Sequence, residues 1–106
     1  MNKITIIGNL TRDPEMRTTT AGKSVCEFSV AANRRKKVEG QPEADFFRVS
    51  AWGELGENCG RYLMKGKKVC VIGPVSLNTY TKSDGSSGAS LEVLANEVEF
   101  LSPKDD

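Results

Sequence analysis

The stretch Ala44-Asp45-Phe46-Phe47-Arg48-Val49-Ser50-Ala51-Trp52 decides the reading of this chain. Side chains on a strand point alternately to its two faces. Phe47, Val49 and Ala51 then share one face, apolar and suited to the interior of a barrel. Phe46, Arg48, Ser50 and Trp52 share the other. An interior does not hold an unpaired guanidinium between two aromatic rings, so this second face points outward. Immediately afterwards the period changes. Within residues 53–65, Leu55, Cys59, Tyr62 and Leu63 fall at i, i+4, i+7 and i+8, the apolar stripe of a helix. Gly66 is placed to stop it. Gly56 and Gly60 each weaken such a helix by roughly 1 kcal/mol relative to Ala, but the stripe survives them.

Working outward from there, residues 1–10 read as a strand with Ile4 and Ile6 on one face and Thr5 and Ile7 on the other. Residues 11–22, rich in Thr with Pro14 and Gly22, read as a loop. Residues 23–33 alternate Cys26, Phe28 and Val30 against Glu27 and Ser29, a half-buried strand. The charged segment 34–43 reads as an exposed hairpin loop. Beyond the helix, residues 67–80 form a fourth strand interrupted at Gly73-Pro74, where proline cannot donate to a ladder and an edge or bulge is required. Residues 81–90 make a polar hairpin tip, and 91–101 a fifth strand. Phe28, Tyr62 and Phe100 are expected in the core. Three strands, one short helix and two strands is the order of an all-β, five-stranded Greek-key OB-fold barrel with one short helix between strands 3 and 4. The 106 residues make one domain.

Composition removes whole classes of chemistry. There is no histidine, hence no His-assisted nucleophile and no His-ligated metal within the chain. The cysteines, Cys26, Cys59 and Cys70, show no C-x-x-C spacing and read as small reduced apolar residues. No P-loop or dinucleotide turn is present. Glu97 and Glu99 alternate with Val98 and Phe100 and read as the outer side of a strand. We therefore expect no enzyme, no metal and no cofactor. No apolar run reaches the roughly 20 residues of a membrane helix, and a cytoplasmic location is expected.

The net charge of +1 predicts no polyanionic partner, but its distribution does. Residues 1–37 carry eight basic and three acidic residues, and half of those basic residues are the run Arg34-Arg35-Lys36-Lys37. Such a run is either a solvated loop or a phosphate-contacting one. The outward aromatics of 44–52 favour the second. Unpaired bases expose π-faces that stack on aromatic rings, each stack contributing roughly 1–3 kcal/mol regardless of base. Basic residues follow the phosphates and release counterions. Tyr80, beside the polar hairpin tip, is a third stacking candidate. Stacking ignores the 2′-hydroxyl, so RNA stays open beside DNA. The alternative is an oligomerisation or adaptor module in which Phe46 and Trp52 lie in a protein interface. Lys65, Lys67 and Lys68 have a bland reading too, as partners of the helix C-terminal carbonyls.

The ordered set 1–4, Ile7-Gly8-Asn9-Leu10-Thr11-Arg12-Asp13-Pro14-Glu15, Phe28-Ser29-Val30-Ala31, Asn33-Arg34-Arg35, Ala44-Asp45-Phe46, Val49 through Gly53, Tyr62-Leu63-Met64-Lys65-Gly66 and Val98-Glu99-Phe100-Leu101 resembles bacterial single-stranded DNA-binding proteins along nearly the whole chain. The resemblance implies an OB-fold and sequence-tolerant binding of single-stranded DNA. It implies a homotetramer (a dimer being the alternative) and a nucleoid-associated role in replication, recombination and repair. Phe46, Trp52 and Tyr80 fall where the family stacks bases, with Arg48 between the first two. Arg34 and Arg35 match its basic loop, and Lys36, Lys37, Arg12 and Lys65 are expected to join them. Phe47 falls where relatives make subunit contacts, and Lys3 and Thr5 are expected there with it. There are departures. Lys36 lies near a position where many relatives carry another stacking aromatic. Ser76 and Asn78 are neutral where relatives alternate basic residues, which implies a weaker grip on phosphate near Tyr80. Relatives usually continue beyond the position of Asp106 into an acidic and apolar tail, so partners recruited through such a tail are not expected.

Overall fold

Strand β4 (Ala44–Trp52) lies where the alternation put it, between β3 (Ser24–Asn33) and β7 (Ser87–Leu94). Phe47, Val49 and Ala51 are buried, while Phe46, Arg48 and Trp52 are exposed. The computed structural model describes residues 1–102. The remaining elements are β1 (Ile4–Leu10), β2 (Glu15–Thr18), α1 (Gly53–Tyr62), β5 (Lys68–Gly73), β6 (Val75–Thr81) and β8 (Glu97–Phe100).

The strands join in the order β6-β7-β4-β3-β1-β5-β8, with β2 added to β3. All pairings are antiparallel except β4 with β7, which is parallel. Seven of the eight strands resolve the five read from sequence. β5 and β6 are one run broken at Pro74, and β7 and β8 are another broken at Ala95-Asn96. The first half of one run pairs with the second half of the other at each end of the path. The sheet therefore wraps round on itself, as an OB-fold does. The break is tight. A Cβ on Gly73 would collide with the carbonyl oxygen of Leu94, so only glycine lets the two runs cross there. The Pro74 and Ile72 carbonyls accept from the N–H groups of Leu94 and Asn96 at 3.0 and 2.8 Å.

Ile6, Leu10, Phe28, Val30, Phe47, Val49, Val69, Val71 and Val93 form the centre of the core, and α1 closes it through Cys59. Cys26 and Cys59 are free thiols. Burial is the main cause that pushes Cys26 up to about 11 and Cys59 to about 12, with Glu27 adding to the first and Cys26 to the second. Both stay protonated and inert near neutral pH, as small apolar residues do.

Four expectations change. Residues 15–18 are a strand, not a loop. β2 pairs with β3 and is tied by an Arg17–Glu27 ion pair of 3.0 Å, yet none of its residues is buried, so it shows no alternation. The helix ends at Tyr62, and Gly66 (φ +89°) instead turns the chain between the helix and β5. The hairpin tip is shorter than 81–90, because β7 begins at Ser87. Tyr62 and Phe100 are not core residues, being 57% and 42% exposed. Each is the last residue of its element. They meet beyond the end of the core, ring centroids 6.0 Å apart, and partly cover each other. Phe28 is buried as expected.

Candidate nucleic-acid interface

The outward face of β4 is continuous with the hairpin of β6 and β7. Across the parallel pair, Arg48 stands beside Glu92, and Glu92 beside Ser76 of β6. Two residues further along β6, Asn78 faces Ser90, and two further still Tyr80 faces Gly88. Alternation puts all of these on the same side as Phe46 and Trp52. Phe46 is 62% exposed, Tyr80 52% and Trp52 42%. Trp52 follows Phe46 by six steps along the strand, about 20 Å at ~3.3 Å per residue. Tyr80 lies against Gly88 so closely that a Cβ there would meet the ring at 2.6 Å. The bare glycine is the seat on which the phenol rests. Trp52 ends the strand and occupies the N-cap of α1 with extended backbone (φ −103°, ψ 152°), which holds its ring at the corner between sheet and helix.

The basic loop divides in two. Arg34 donates from Nε and Nη2 to the Asp45 carboxylate, the shortest contact being 2.8 Å, and from Nη1 to Gln41 at 3.5 Å. Hydrogen bonding to Asp45 raises its already high pKa. Its charge is largely matched within the protein. Lys37 stands 3.9 Å from Glu43, a loose pair. Arg35 and Lys36 are exposed and make no ion pair among the described residues. These two are the cations the loop offers outward.

Sequence reasoning missed the carboxylates of this face. The shallow depression at Arg48 is also lined by Arg12, Asp13, Glu15, Glu27 and Glu92. Glu92 accepts from Asn78 Nδ2 at 2.7 Å and from Ser90 Oγ at 3.3 Å. Arg48 makes no ion pair among the described residues. The strand parity of β7, read against β4, would have exposed Glu92, but only once the parallel pairing was known. With four carboxylates around two guanidiniums, the centre of the face suits bases better than phosphates.

Arg12 borders this depression and Lys65 lies next to it, its backbone N–H donating to the Asp13 carboxylate at 2.9 Å. Both side chains are exposed. The residues expected at a subunit interface do not cluster. Lys3 and Thr5 are exposed at the start of β1, whereas Phe47 is only 8% exposed and belongs to the core, as its place on the strand required. Among the described residues no group of His, Cys, Asp and Glu could hold a metal ion, and no helix is long and apolar enough to cross a membrane.

The model of the single-strand binding protein family matches residues 1–101. The chain belongs to that family. It is 42% identical over 102 residues to single-stranded DNA-binding protein 3 of Clostridium acetobutylicum, an alignment covering 95% of this chain and 71% of the relative. Single-stranded DNA-binding protein 1 of the same organism is 42% identical over 106 residues, covering 98% and 96% of the two chains. Single-stranded DNA-binding protein 1 of Staphylococcus aureus is 37% identical over 105 residues, covering 98% of this chain and 67% of that one.

Proposed function

We propose that this protein binds single-stranded DNA without reading its sequence, stacking bases on Phe46, Trp52 and Tyr80. The carrying observation is that these three exposed rings share one sheet face with Arg48. Its membership of the single-strand binding family supports the same reading. Bases pass over the mixed centre of the face, where the Arg48 guanidinium offers a further plane to stack on. Phosphates run along the rim, toward Arg35 and Lys36 on one side and Arg12 and Lys65 on the other. Binding covers and protects strands opened in replication, recombination and repair in the bacterial cytoplasm. The protein acts by binding rather than catalysis.

We also propose self-association, with Lys3 and Thr5 at the contact between copies and a tetramer as the assembly. Leu77 and Leu91 support an oligomer, since they are opposed on the core-side face of the hairpin and both remain exposed. Sedimentation at the mass of one chain would remove this part of the reading.

The test is a fluorescence titration of Trp52, the single tryptophan, with oligo-dT at low and moderate salt. Saturable quenching that weakens with salt is expected. Trp52→Ala and Phe46→Ala should each weaken binding by roughly 1–3 kcal/mol. Arg35→Ala with Lys36→Ala should flatten the salt dependence, by about one slope unit for each phosphate no longer neutralised. Wild-type affinity in both aromatic variants would sink the stacking assignment.

A further inference from the structure

A second aromatic and basic surface lies away from the face just described. The exposed rings of Tyr62 and Phe100 sit in an open groove of about 1040 Å³, floored also by Met64 and Leu101. The two rings are inclined at 54°, so they are not stacked face to face. The Arg61 guanidinium lies 5.9 Å from the centre of the Tyr62 ring. Lys67 and Lys68 line the same groove, against one carboxylate among its described residues, Glu99. Four large apolar side chains left exposed together, rimmed by three cations and one carboxylate, mark an interaction site.

The groove is joined to the front face by the chain itself. The Asp13 carboxylate accepts from the Lys65 N–H, the Leu10 carbonyl from the Gly66 N–H, and the Lys67 carbonyl from the Leu10 N–H, all at 2.9 Å. Arg12, at the border of the Arg48 depression, is thereby fixed beside the turn that leads to Lys68. Exposed cations at Arg12, Lys65 and Lys68 mark a way from one surface to the other. On the opposite route, α1 spans about 15 Å between Trp52 and Tyr62 but exposes Glu54 and Glu57, which repel a polyanion.

We infer that the Tyr62–Phe100 groove is a second platform for the same single strand, reached from the front face by way of Arg12 and Lys65. Its two features, aromatic faces and a basic rim, are those that match unpaired bases and their phosphates. This rests on the single-strand-binding reading above. A short oligonucleotide occupies only the front face, and a longer one continues into the groove.

The experiment compares oligo-dT of about 8 and about 16 nucleotides, inside the range one OB fold covers, with the full chain. Binding of the shorter oligonucleotide, read by quenching of Trp52, reports the front face alone. Tyr62→Ala and, separately, Lys68→Glu with Arg61→Glu should leave that binding unchanged. Both should weaken the longer oligonucleotide by about tenfold or more, one missing stack being worth roughly that factor. Tyr62→Trp should restore it. If the shorter oligonucleotide fails to bind the wild-type protein, the front-face reading has failed. If it binds normally and neither variant affects the longer one, the groove proposal is overturned and a protein segment becomes its occupant.

Discussion

Strands β4 and β6 lie on the same sheet face yet are built differently. β4 has neighbours on both sides and a core beneath it, so from Phe46 to Trp52 every second residue is buried. β6 has β7 alone, and six of its seven residues are exposed. The rings on β4 are held by a strand that cannot shift register, because a one-residue slip would turn Phe47 and Val49 out to water. Tyr80 on β6 is held by its seat on Gly88 and by the ladder to β7. A rigid strand carries two stacking rings and a projecting hairpin carries the third.

The largest way to break this contrast is to remove what lies under β4. Phe47→Ala should lower unfolding stability by about 3–5 kcal/mol, read from denaturant midpoints, and DNA affinity should fall only as the folded fraction falls. A variant of wild-type stability would show that Phe47 is not the anchor of the strand. The buried side sharpens the contrast through pH as well. Cys26 pairs with Ala51 of β4, and Cys59 packs in the same core. Both thiols are raised above their ordinary value of 9.0 in the folded chain, so the unfolded state ionises first. Their contribution is complete below pH 9 and is lost as pH climbs toward 11 and 12. We expect stability to fall across that window, by roughly 1 kcal/mol for each thiol at about pH 10. Cys26→Ala with Cys59→Ala should remove most of that slope, although the double variant starts less stable. A slope unchanged in it would assign alkaline loss to other groups. The smallest effect belongs to β6. Tyr80→Ala should leave stability within about 0.5 kcal/mol, since its environment is exposed. It should weaken oligo-dT by about 1 kcal/mol, the low end for a stack, because Ser76 and Asn78 bring no charge. A loss as large as that of Trp52→Ala would mean the hairpin holds its ring as firmly as β4 does.

The same contrast explains what could be read in the sequence. β4 was legible because burying one face writes a period of two into the residues. β3, with Cys26 on its buried face, was legible for the same reason. β2 was not, since a strand laid over the outside of β3 buries nothing and leaves no apolar pattern. Tyr62 and Phe100 were misjudged because periodicity gives the direction a side chain points, not whether anything stands there to cover it. At the ends of α1 and β8 the two rings have little but each other. The mating of Arg34 with Asp45 follows from the folding back of 34–43, which brings residues 33 and 44 into register. A run of four cations looked uniform until that closure divided it. The family resemblance and the strand alternation selected the same rings. The carboxylates around Arg48, gathered from three separate segments, left no local trace.

The turn at the tip of the β6–β7 hairpin has a practical use. The Lys82 N–H donates to Ser86 and the Gly85 N–H returns to Lys82, while Asp84 accepts from Ser86, so the turn is closed within five residues. All five of its residues are exposed. A cysteine introduced at the exposed Ser83, carrying a thiol-reactive dye, would ride on a self-contained clasp beside Tyr80. Because the three native thiols are buried, a cysteine placed there would be the one that reacts in the folded protein. The hairpin thus offers a reporter position within a few residues of the bound strand.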